Sequence, residues 1–205
     1  LDPMAEGLLL VLAGNTSKKK DYLEMGKTYE FEVMWGFTTD TYDILGRVTE
    51  KYSQPTKLEN KIEGLLKEIS KKKVQEYPPY SSRTVDGKPM FEWAREHRIE
   101  EIDNPTRGIK IFSIEHIDTR FEKGEVLLNE IILNIDRVKG DFRQEEIRRG
   151  WKGNLKQEDM ILLSSFIADV SSGTYIRGLA SDMGKILGNG GVVKMIKRTR
   201  IGNYY

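Results

Sequence analysis

From Tyr29 to Trp35 the residues alternate, with Tyr29, Phe31, Val33 and Trp35 on one side of the pattern and Glu30, Glu32 and Met34 on the other. Successive side chains of a strand project to opposite faces, so a period of two predicts a β-strand with a buried aromatic face and a wet second face. A chain with such a strand must build a sheet and cover one side of it. Candidate covers follow. Leu58, Ile62, Leu65, Leu66 and Ile69 recur at helical spacing within 56–71. Thr56 with Glu59 three residues on reads as a capping box for that helix. From Thr174, the residues Ile176, Leu179, Ala180, Met183, Ile186 and Leu187 predict a second amphipathic helix, ended by Gly188-Asn189-Gly190-Gly191.

Further strands are expected at Ile109–Ile117, at Ile161–Val170, and at the unbroken apolar run Leu8–Leu12 between Gly7 and Gly14, which suits burial on both faces. Thr38–Gly46 is polar and turn-rich, Met90–Arg95 reads as a short helix, and Val126–Leu155 carries two helical patterns that suggest an inserted hairpin. Strands interspersed irregularly with helices predict an α+β domain around a mixed, mostly antiparallel sheet flanked by helices and loops. One domain over residues 1–205 accommodates all of this.

Several function classes drop out. Cysteine is absent and the only histidines are His97 and His116, so disulfides, thiolate metal sites and a Ser-His-Asp triad are not expected, and no metal is assigned. No glycine pattern matches a dinucleotide or phosphate loop, which leaves no nucleotide cofactor. No apolar run approaches the ~20 residues of a membrane span, and no secretory signal opens the chain. A cytoplasmic location fits this picture. Thirty-three basic against thirty-two acidic residues give a net charge of +1, but the distribution is uneven. Basic residues cluster at Lys18–Lys20, Lys71–Lys73, Arg143–Lys152 and Lys194–Arg200, and no acid follows Asp182. Phosphate neutralisation is a short-range effect, so such clusters point to a nucleic-acid partner even at near-zero net charge.

Four segments carry chemistry. They are Leu1-Asp2-Pro3-Met4-Ala5-Glu6-Gly7; Tyr29 with the later Thr39-Asp40-Thr41-Tyr42-Asp43; Tyr77 to Arg83 with Asp86-Gly87-Lys88, Glu92 and Ala94-Arg95; and Ser172-Gly173-Thr174-Tyr175-Ile176-Arg177 with Ile196 to Gly202. In this order, over nearly the whole chain, they resemble the motifs of the TruB family of tRNA pseudouridine synthases. The resemblance implies the pseudouridine-synthase fold and isomerisation of a uridine in the tRNA T-loop, without a cofactor and by a monomer.

It also implies roles. Asp2 matches the family's reactive carboxylate, Arg177 the arginine that pairs with it, and Tyr29 the ring that stacks on the flipped uracil and can assist loss of the C5 proton. Asp43, Tyr175 and Ile196 match positions near the flipped nucleotide. Lys18, Arg83, Lys88, Lys197 and Arg198 are assigned to the RNA backbone, and residues 71–107 to a segment embracing the T-arm. Read without the resemblance, Asp2-Pro3 is an ordinary helix opening, Tyr29 a core tyrosine, and Asp43 a turn residue. Two positions depart from the family pattern: Glu6 replaces a threonine and Arg83 a lysine. The chain opens inside the first motif, so it reads as lacking the family's N-terminal strand, and no PUA lobe is recognised. A guide-dependent synthase of the dyskerin kind and a non-catalytic tRNA-folding chaperone are the competing readings.

Overall fold

A computed structural model of the chain describes residues 2–14 and 20–205. In chain order the first elements are β1 (Ala5–Gly7), α1 (Lys20–Glu24), β2 (Lys27–Trp35), β3 (Phe37–Thr39), β4 (Val48–Lys51) and α2 (Glu59–Ile69). A run of short pieces comes next: β5 (Val74–Glu76), β6 (Thr84–Val85), β7 (Lys88–Pro89), α3 (Met90–Arg95) and β8 (Thr106–Gly108). The chain then makes β9 (Ile111–Lys123), α4 (Gly124–Arg137), α5 (Gln144–Asn154), β10 (Met160–Val170), α6 (Ile176–Leu187) and β11 (Gly191–Ile201). Among the described residues no helix is long and apolar enough to cross a membrane.

The main sheet has the order β1-β11-β2-β10-β9. Only β1 with β11 is parallel, and the other three pairings are antiparallel. The expected mixed, mostly antiparallel sheet is therefore present. On one face Phe31, Val33, Trp35, Phe166 and Ala168 pack against Leu58, Ile62 and Leu65 of the α2 region and Leu179 and Met183 of α6. On the other, Met34, Leu163 and Val192 pack against Leu127, Ile131 and Ile135 of α4 and Ile147 and Trp151 of α5.

That second layer overturns the wet face expected for β2. The α4–α5 hairpin covers it: Met34 is fully buried and Glu32 is 4% exposed. Glu32 survives burial because Arg120 donates to it, Lys194 lies at 3.0 Å, and Ser165 Oγ donates at 3.4 Å. An unpaired carboxylate there would cost several kcal/mol. Lys194 also reaches Glu130 on α4 at 2.8 Å, so this lysine of the C-terminal basic run ties sheet to hairpin instead of facing outward. Period two reports which residues face which side; it does not report what covers a side.

Two further expectations fail for local reasons. The strand at the N-terminus ends at Gly7, whose φ of +98° turns the chain away from β11, and beyond it Leu9 and Val11 are 56% and 83% exposed. Gly7 cannot be replaced cheaply, since a Cβ would sit 2.2 Å from the Arg198 carbonyl oxygen. The capping box does not form either. Lys57 adopts φ +52°, α2 starts at Glu59, and its N-cap Leu58 has no side-chain cap bond.

Candidate active site

Asp2 sits in a turn, closed by the Ala5 amide donating to the Asp2 carbonyl at 2.9 Å, and a strand follows rather than a helix. The turn presents the carboxylate beside the N-terminus of α6. There Arg177 Nη2 lies 2.7 Å from Asp2 Oδ1. The guanidinium is 4% exposed. Its Nη1 donates to the Thr41 carbonyl at 2.7 Å and its Nη2 to the Tyr80 carbonyl at 3.4 Å. Nε faces Asp43 Oδ2 at 3.6 Å, across a gap too long for a hydrogen bond. One arginine thus gathers two carboxylates and two carbonyls from three distant segments. Arginine suits this because its planar fork stays charged when buried.

The loop that carries Asp43 explains its own sequence. Thr39 Oγ1 donates to the Asp43 carbonyl at 2.8 Å, and Thr41 Oγ1 to Asp43 Oδ1 at 2.6 Å. The Leu45 amide also donates to Oδ1, at 2.9 Å. Asp40 Oδ1 accepts from the Arg47 amide at 2.9 Å. Burial raises the Asp43 pKa to about 6 from 3.8, against the lowering pull of Arg177 and Thr41.

Asp2, Tyr29, Asp43, Tyr175, Arg177, Ile196 and Arg198 all line one cleft of about 930 Å³. The structure therefore brings together every residue assigned from sequence to the reaction or the uridine pocket. Tyr29 projects from the core-facing side of β2 into the cleft, whose lining also includes Arg198. Burial raises the phenol pKa, against the lowering pull of the Arg198 guanidinium. Tyr175 meets Tyr77 edge-on at 5.5 Å.

The backbone-binding assignments divide. Lys18 lies outside the described residues. Arg83 and Lys197 are exposed, Arg83 over the Tyr77 ring at 5.6 Å. Lys88 is already paired with Glu96 at 2.5 Å and lies 4.6 Å from the centre of the Trp93 ring. Arg198 is 9% exposed, donates from Nε to the Leu8 carbonyl at 2.8 Å, and lies in the wall of the same cleft as Tyr29. Arg200 likewise pairs with Asp169 at 2.7 Å. Burial and internal partners, invisible in a run of basic letters, enclose Arg198 and engage Arg200, whose side chain stays 28% exposed. Glu6, the departure in the first motif, is exposed on β1.

One residue the sequence did not flag is Gln75. It is 3% exposed on β5, accepts from the Tyr175 amide at 2.8 Å and donates to the Tyr175 carbonyl at 3.0 Å. The helix start that carries Arg177 has no side-chain cap of its own, so this amide fixes it from one hundred residues away. A single Gln in a short polar stretch offers no signal for that.

Residues 1–142 match the family model described as TruB family pseudouridylate synthase, N-terminal domain. The tRNA pseudouridine synthase B of Aquifex aeolicus is 30% identical over 202 residues, covering 98% of this chain and 56% of that protein. The one from Staphylococcus saprophyticus is 31% identical over 208 residues, covering all of this chain and 56% of its own length. The chain thus spans about half the length of the curated relatives it matches. Among solved structures, a chain of a Cbf5-Nop10-Gar1 complex superposes at a TM-score of 0.50 with 19% identity, over 100% of this chain and 39% of that one. That likeness speaks to fold alone. With the match over 142 of 205 residues, and with an Asp, Arg and Tyr drawn from both ends of the sequence into one cleft, the chain belongs to the TruB family of pseudouridylate synthases.

Proposed function

We propose that the protein isomerises a uridine in the T-loop of tRNA to pseudouridine, acting as a monomer in the cytoplasm with no small-molecule cofactor. The observation that carries this reading is the Asp2–Arg177 ion pair, 2.7 Å long, at the wall of an aromatic-lined cleft. The reaction breaks the C1′–N1 bond, turns the base and joins C1′ to C5; C5 gives up its proton and the freed N1 takes one up, so the product is an isomer with no net oxidation. Asp2 supplies the carboxylate, either attacking the sugar carbon or taking a sugar proton. Both routes use the ionised carboxylate, and the Arg177 guanidinium faces it as its counter-charge at 2.7 Å.

Tyr29 stacks on the extruded base between Tyr175 and Ile196. Extrusion costs a few kcal/mol, and one aromatic stack returns ~1–3 kcal/mol. Contacts to the RNA backbone must offset the rest. Arg83 and Lys197, both exposed, and residues 71–107 around the T-arm take that role here. Burial raises the Tyr29 phenol pKa, and the Arg198 guanidinium supplies the opposing pull that loss of a proton would need. Tyr29→Phe is expected to bind tRNA normally and to slow single-turnover product formation by about 10²-fold. An unchanged rate would leave stacking as the only role of the ring.

Asp43 makes the pH dependence distinctive. With a folded-state pKa of about 6 against 3.8, it is ionised at neutral pH and holds Arg177 from behind. Turnover should fall as pH drops through about 6. The sign for stability is opposite: a raised carboxyl pKa contributes stability present below the unfolded value and lost as pH rises through the folded one. Acidification from about pH 7 to about pH 5 therefore costs activity without unfolding the protein through this group. Single-turnover rates and thermal melts across that range check it; a flat rate profile would remove Asp43 from the reaction.

The reading itself is tested by incubating the full-length protein with an unmodified tRNA transcript and mapping pseudouridine. Product at the T-loop uridine supports it. Product on ribosomal RNA only with a guide RNA would favour the guide-dependent alternative, and binding without product a chaperone.

A further inference from the structure

The α4–α5 hairpin does more than cover the sheet. Its connecting loop brings Phe142 to the edge of the cleft and ends at Arg143, the N-cap of α5. Arg143 Nη1 donates to Asp40 Oδ2 at 2.7 Å, and its guanidinium lies 4.4 Å from the centre of the Tyr80 ring. These are the two segments that Arg177 grips from inside the cleft. Arg177 takes the Thr41 carbonyl, next to Asp40, and the Tyr80 carbonyl. Two guanidiniums thus hold the same pair of chain segments from opposite sides, one through backbone carbonyls, the other through side chains.

The backbone at Arg143 points the same way. Its φ is +60°, a region where L side chains sit at a cost and glycine sits freely. A position that only turned the chain into α5 would favour glycine. Arginine is also specific in kind, since lysine could keep the Asp40 ion pair but has no plane to lay on Tyr80.

We infer that Arg143 is a positioning residue: through Asp40 and Tyr80 the hairpin sets the two carbonyls that orient Arg177 against Asp2. This rests on reading the cleft as catalytic. Displacing reacting groups by about an ångström costs up to about a hundredfold in rate, so a lost clamp shows in kcat.

Arg143→Gly is the cleanest variant, because glycine suits the backbone conformation and the protein should melt within about 4 °C of the parent. In the full-length protein we expect single-turnover pseudouridine formation to fall about 10- to 100-fold with the Kd for tRNA nearly unchanged. Arg143→Lys should recover part of the rate by restoring the ion pair without the stacking. A rate within about twofold of the parent for Arg143→Gly overturns the inference, as does a loss confined to Kd or KM with kcat intact. If the parent itself makes no pseudouridine, the catalytic reading has failed, and hydrogen exchange decides the clamp alone. The amides of Asp40 and Leu45, bonded to the Arg47 carbonyl and to Asp43 Oδ1, should then exchange at least about tenfold faster in Arg143→Gly. Unchanged exchange at both overturns it.

Discussion

Arg177→Ala is expected to reduce pseudouridine formation by about 10²- to 10³-fold while leaving tRNA affinity nearly intact. The guanidinium is the one cation within reach of both Asp2 and Asp43 among the contacts described, at 2.7 and 3.6 Å. Removing it leaves Asp43, 3% exposed, without its main stabilising charge, so that carboxyl moves further up from about 6. It also strips the Thr41 carbonyl of a donor. Removing one member of a buried ion network costs roughly 3–5 kcal/mol, so the variant should melt measurably lower and must be assayed below its transition. Arg177→Lys restores the charge without the fork and should recover little of the rate. The residues proposed to contact phosphate, Arg83 and Lys197, are not partners of this ion pair, which is why a filter-binding Kd should hardly move. A near-parental single-turnover rate for Arg177→Ala would end the ion-pair role.

Asp2→Asn should be the most damaging change of all. The amide has the shape of the carboxylate, so the turn closed by the Ala5 amide and the Asp2 carbonyl survives, but it can neither attack carbon nor accept a sugar proton. Loss of a reactive group of this kind costs about 10⁴-fold or more, below detection in most pseudouridine assays. Arg177 retains Asp43, Thr41 and Tyr80 as partners, so the variant should fold and bind tRNA. That combination separates chemistry from binding, and it makes Asp2→Asn the form with which to trap a bound RNA. Product at more than about a tenth of the parental single-turnover rate would show that another group carries the reaction.

The sequence was most legible where a local pattern has a local cause. The alternation at Tyr29–Trp35 became β2, the spacing of Ile176, Leu179 and Met183 became the buried face of α6, and Val126–Leu155 holds the two helices α4 and α5. Patterns fail where a residue's partner lies far along the chain. Thr56 has the right neighbour for a capping box, yet Lys57 turns the backbone out of register. Glu32 looks like a solvent-facing residue until Arg120 and Lys194 reach it. Arg198 and Arg200 look like phosphate ligands until Leu8 and Asp169 claim them.

The same division holds for the site. Asp2, Tyr29, Asp43, Tyr175, Arg177 and Ile196 were nameable from sequence because motif order preserves residue identity across a family. Charge state, contact and reach were not, because they depend on what other segments bring. Gln75 and Arg143 act on groups 100 and 103 residues away, and nothing in their own neighbourhoods marks them. The sequence by itself determined the element types and the demand of an amphipathic strand for a covering layer, since each is a property of nearby letters, and the order of its motifs nominated the candidate reacting groups. Tertiary structure alone decided that both sheet faces are covered, which basic residues stay exposed, and how Arg177 is held. Burial and pairing of charge arise only when segments distant in the chain share one low-dielectric space.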